Sequence, residues 1–181
     1  MALHETYETP APVTVPTPAA TPAPGRDFDF LVGTWEVANR WRTDFLDGSS
    51  DWEEFPAVSR VSGHFGGAAN FDEIEFPTKG FAGLTLGLYD PATGDWSLHW
   101  ASRRTGTLFP PVVGRFEDGR GVFYGEDTHD GLPVRVRFVW SRITATSALW
   151  EQAFSVDGGT TWLTNWTMAL TRTRPAPAPA P

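Results

Sequence analysis

The sequence predicts an antiparallel all-β domain of about ten strands, a sandwich or a barrel, on three observations. Runs rich in Trp, Phe, Val, Leu and Thr are short. Gly and Asp turn signals punctuate them: 46-LDGSSD, 89-YDPATGD, 117-EDGRG, 129-HDGL and 156-VDGGT. Only 27-DFDFLVG offers a helical piece, and it is no more than a turn.

The strands can be assigned faces in chain order. In 35-WEVANRW, alternation places Trp35, Val37, Asn39 and Trp41 together. In 89-YDPATGDW, a five-residue loop over 90–94 would put Leu84, Leu86, Leu88, Trp96, Leu98 and Trp100 on one face, with Ser97 and His99 opposite. A two-residue Asp130-Gly131 loop in 129-HDGL pairs Phe123 with Phe138, Gly121 with Trp140 and Asp127 with Val134. It also pairs Glu126 with Arg135 and Tyr124 with Arg137, giving an aromatic face and a charged one.

The stretch 155-SVDGGTTW has the spacing of the Asp-box that sialidase-type propellers repeat blade after blade. It occurs once here, so it is read as a turn in which Asp157 bonds nearby amides. A three-residue loop 157–159 pairs Phe154 with Trp162, Gln152 with Thr164 and Trp150 with Trp166.

The chain has 181 residues, enough for one domain with a real core. The Pro/Ala-rich stretches 1–26 and 175–181 read as disordered, polyproline-like tails around a folded unit at 27–174. Cysteine is absent, which excludes disulfides and thiolate metal sites. The net charge is −8 with a single lysine, Lys79, and no basic stripe, so nucleic acid is not the expected partner. No basic, apolar leader and no membrane-length apolar run is read; a cytoplasmic protein working off the membrane is expected.

The segment 33-GTW-35 at the first strand, with Arg172 in the last, resembles lipocalins and other calycin barrels. That resemblance implies an up-and-down barrel in which Arg172 packs over Trp35. The segments 28-FDFLVGTWEV, 52-WEEF, 110-PPVVGRFEDGRGVFYG, 134-VRVRFVWSRIT, 150-WEQAFS and 165-NW are similar to a bacterial lipocalin-like family that has no established activity. Haem-binding calycins use a late-strand histidine. His4, His64, His99 and His129 are early, turn-borne or outward, so no haem or other cofactor is expected.

Other chemistry finds little support in the residues. Asp127 and His129 are two metal-ligand types without a third, and no metal is assigned. The carboxylate runs 53-EE and 72-DEIE are read as surface strands. Ser102, Ser141 and Ser155 lack a neighbouring base.

What remains is an aromatic inner face of Trp35, Trp41, Trp96, Trp100, Phe123, Phe138, Trp140, Trp150, Phe154, Trp162 and Trp166. Few polar groups join it: Asn39, Gln152, Thr164 and, at the mouth, Asp127. A small hydrophobic or aromatic ligand is therefore expected in the lumen, held by Asn39, Trp41, Trp100, Phe123, Phe138, Trp140, Trp150, Gln152, Thr164 and Trp166. The protein would act as a carrier or sensor, or as an isomerase, cyclase or hydratase in the same lumen. A homodimer is left open.

Overall fold

The computed structural model describes residues 25–175. Apart from residues 25, 26 and 175, the tails read at 1–26 and 175–181 lie outside the described residues, as does His4.

Eleven strands follow one another: β1 Gly33–Arg42, β2 Trp52–His64, β3 Ala69–Phe76, β4 Phe81–Asp90, β5 Asp95–Ser102, β6 Thr107–Leu108, β7 Val112–Glu117, β8 Arg120–His129, β9 Leu132–Ser141, β10 Ser147–Ser155 and β11 Leu163–Pro175. All pairings are antiparallel, β4 joins β5, and β11 returns to pair with β1. The two-residue β6 is an arm on β5, and the other ten strands form a closed up-and-down barrel. Closure leaves the ten-strand cylinder no free edge along which another sheet could add.

The first strand shows why the wall alternates. Trp35, Val37 and Asn39 are buried, whereas Glu36, Ala38 and Arg40 are exposed. The 129-HDGL hairpin has the expected register at every pair, from Gly121↔Trp140 to His129↔Leu132. Its turn residues Asp130 and Gly131 take φ of 49° and 80°, the left-handed pair that a two-residue hairpin requires. Glu126 and Arg135 form the expected exterior ion pair at 3.0 Å.

The register across 89–96 differs from the expected one. Asp90 pairs with Asp95, so the loop holds only residues 91–94. Thr85, Gly87 and Tyr89 then share the interior with Trp96, Leu98 and Trp100, while Leu84, Leu86 and Leu88 lie outside with Ser97 and His99. The cause is steric. A methyl group on Gly83 would overlap the Trp100 ring, and one on Gly87 would press on the Asn70 amide. Large side chains from neighbouring strands fill the slots that the glycines leave, so apolar alternation pointed to the wrong face.

The opening motif also departs from its expected register. Trp150 pairs with Met168, Gln152 with Trp166 and Phe154 with Leu163, with a bulge after Gln152. The turn is long because Asp157 reaches Thr161: its carboxylate accepts the Thr161 amide at 2.9 Å and the Thr161 hydroxyl at 2.7 Å. Trp162 consequently lies outside the barrel, against Tyr124 and under the Arg137 guanidinium, and not on the inner face.

Both ends of the barrel are packed with aromatics. Residues 25–32, including a 3-10 turn at Asp29–Leu31, seal the end where β1 begins. Phe28 packs edge-on against Trp96 and Phe116, both at 4.9 Å, and also touches Phe123 and Trp140. Arg172 sits 4.1 Å from the Trp35 ring centroid and donates to the carbonyls of Val32, Phe30 and Ala145. Loops 43–51, 77–80, 103–111, 130–131 and 156–162 gather at the opposite end. No helix among the described residues is long and apolar enough to cross a membrane.

Candidate functional site

Between the aromatic floor and the loop end lies a cavity of about 230 Å³. Phe28 and Leu31 bound it below; Phe45, Phe109 and Pro110 reach it from the loops. Its walls come from all around the barrel, with the indoles of Trp100, Trp140, Trp150 and Trp166 prominent among them. Trp150 meets Trp166 edge-on at 5.6 Å and Phe138 at 4.8 Å, so this wall is interlocked.

Six of the expected ligand contacts line this cavity: Trp100, Phe138, Trp140, Trp150, Gln152 and Trp166. The mouth residue Asp127 does as well. The other four sit elsewhere. Asn39 stands behind the wall, its Oδ1 accepting the Trp166 indole N–H at 3.0 Å. Trp41 supports Trp166 from the rim at 5.5 Å and donates to Glu53 at 2.9 Å. Phe123 is fully buried in the floor, against Phe28 and Phe116. Thr164 falls opposite Ala153 at the bulge and does not reach Gln152.

Asn165, the extra residue of that bulge, takes the role expected of Thr164. Gln152 donates to Asn165 Oδ1 at 3.0 Å, and Asn165 Nδ2 donates to the Phe45 carbonyl at 3.2 Å. This relay ties the cavity wall to the loop that carries Phe45. His129 is turn-borne as expected, but its ring faces this loop and stacks on Phe45 at 5.3 Å with an interplanar angle of 9°. No group of three or more potential metal ligands occurs among the described residues.

Asp72 of 72-DEIE, expected on a surface strand, belongs instead to the inward face of β3. Asn70, Asp72, Ile74 and Phe76 face inward, while Phe71, Glu73 and Glu75 face out. Asp72 lines the cavity directly opposite Thr85, and Ser59 of β2 donates to its carboxylate at 2.5 Å. Asp72 is half-buried, on the inward parity of β3. Burial lifts its carboxyl to about 6, against the lowering effect of the Ser59 bond. Beside it Asn70 is 4% exposed, and its side-chain nitrogen has no hydrogen-bond partner. A signal was present: Asp72 shares parity with Ile74 and Phe76 in 70-NFDEIEF.

This geometry can receive a small molecule with an apolar body and offer it the carboxyl of Asp72, that of Asp127 at the mouth, and two amides. No protein-family model matches the chain, and no curated protein matches it. The fold is nonetheless found among solved structures. The structure of the S-type phycobiliprotein lyase CPES from Guillardia theta is similar with a TM-score of 0.51, at 12% identity, over 80% of this chain and 89% of that one. The fold of the chain is a closed, antiparallel, lipocalin-like β-barrel.

Proposed function

We propose that the protein binds a small hydrophobic or aromatic molecule in the barrel lumen and serves as its carrier or sensor. The observation that carries the reading is the lumen cavity of about 230 Å³, lined mainly by apolar side chains with four indoles among them. Its volume lies below the roughly 300–1,000 Å³ of pockets for drug-sized ligands, so an occupant of about one or two fused rings is favoured. Within this reading the protein works in the cytoplasm and belongs with the bacterial lipocalin-like proteins that its segments resemble.

Catalysis in the same lumen is the second reading, and Asp72 favours it. A buried carboxyl near 6 is poised to exchange a proton with a bound substrate, as an isomerase, cyclase or hydratase requires. A barrel of the same architecture is a phycobiliprotein lyase, so the fold is compatible with enzymes.

Native mass spectrometry of the protein purified from its own cells tests the proposal. A mass increment lost on denaturation, from an organic molecule of that size, supports it. A protein that carries nothing, and whose tryptophan emission is unmoved by planar apolar compounds, contradicts it.

A further inference from the structure

We infer that the occupant of the lumen carries a protonated nitrogen at its polar end, and that Asp72 receives it. The inference rests on the lumen reading above and adds the chemical class of the ligand.

Asp72 presents a carboxyl to the cavity that, among the described residues, is hydrogen-bonded only by Ser59. The groups packed around it are uncharged: Ser59 and Val61 from β2, Asn70 and Ile74 on β3, Thr85 and Gly87 from β4. Among the described residues that line the cavity there is no Lys, Arg or His. The ionisable ones are Asp72, Asp127 and Glu126, and Glu126 is occupied by Arg135 on the exterior. At the loop end, Lys79 pairs with Glu53 over the Trp41 and Phe55 rings, and Arg104 lies over Phe81. Neither lines the cavity.

A buried carboxylate is stabilised by a positive partner, and no described residue lining the cavity supplies one, which leaves that role to a ligand. The indole walls suit the same charge, because ring faces attract ammonium and iminium groups when water is excluded. A carboxylate ligand would bring like charges together in a medium that screens them poorly. Asn70 is the second observation: a buried amide beside Asp72, its nitrogen unpartnered, ready for an acceptor atom next to the ligand's cationic centre. The occupant is then an aromatic or alicyclic amine with a neighbouring oxygen or nitrogen acceptor.

Calorimetric titration with three probes of one ring size separates the outcomes: naphthylmethylamine, naphthylmethanol and naphthoate. At about pH 8 the amine should bind about tenfold more tightly than the alcohol, with naphthoate weakest. Lowering the pH through about 6 should weaken the amine and leave the alcohol unchanged. Asp72→Asn should bind the alcohol as the wild type does and lose the preference for the amine. Equal binding of amine and alcohol, or a preference that survives Asp72→Asn, overturns the inference and leaves the lumen reading standing. Failure of every probe to bind the wild type overturns both.

Discussion

The Arg172 guanidinium lies 4.1 Å from the centroid of the Trp35 indole, and the two residues are directly paired between the last strand and the first. Trp35 is completely buried and donates to the Leu31 carbonyl at 2.7 Å, while Arg172 donates to Val32 at 2.6 Å. These contacts fasten the 25–32 segment to the closed end of the barrel. Arg172→Met should therefore lose about 2–4 kcal/mol of unfolding free energy, as the cation–π contact goes and carbonyls in the seal lose their donor. Urea denaturation measures this. A loss under about 0.5 kcal/mol would be the effect of an ordinary surface change and would contradict the role.

Gly83 should tolerate no side chain. The Trp100 ring occupies the place of its missing Cβ, so Gly83→Ala must displace an indole that also walls the cavity. The expected cost is about 1–3 kcal/mol from overpacking. Near-neutral stability in a thermal melt would show that Trp100 can move freely.

These two positions show how much the sequence could say. Gly33-x-Trp35 with Arg172 pointed to the barrel, and Asp130-Gly131 fixed its hairpin residue by residue, because a two-residue turn permits one register. The 89–96 hairpin misled because alternation weighs the side chains a strand carries, whereas Gly83 and Gly87 face inward for the space they leave. The Asp157 turn misled differently. Its capture of Thr161 lengthens the loop and the bulge adds Asn165, so Trp162 and Thr164 leave the wall although Trp166 keeps its face. The run 72-DEIE reads as a surface strand because a carboxylate in an acidic run ordinarily belongs to a wet strand, yet Asp72 faces inward.

Asp72 makes stability depend on pH in a defined direction. Its folded value, about 6, exceeds the reference 3.8, so the folded protein holds the extra proton between the two. Stability should accordingly fall as pH rises from about 4 to about 6 and then level off, by up to about 3 kcal/mol. Asp72→Asn should remove this slope and be the more stable protein at neutral pH. Urea midpoints for both proteins across that range supply the measurement. Parallel profiles would contradict a buried, unpaired carboxyl.

Asp157 behaves oppositely. Hydrogen bonds from Thr161 and Ser155 hold its carboxyl at about 2, below the reference 3.8. Its contribution is present above the reference value and disappears as pH falls through the folded one. Asp157→Asn should lower the melting temperature at neutral pH and make little difference near pH 2. Thermal melts at the two pH values test this, and an equal shift at both would assign the effect to packing.

The central claim, an aromatic lumen that takes a small apolar molecule, is tested most directly by titrating intrinsic tryptophan fluorescence with a planar apolar ligand in the wild type and in Trp150→Leu. Trp150 is buried in the cavity wall between Phe138 and Trp166. Saturable quenching is expected in the wild type, with binding weakened about tenfold or more in the variant. Identical titration curves for the two proteins would contradict it.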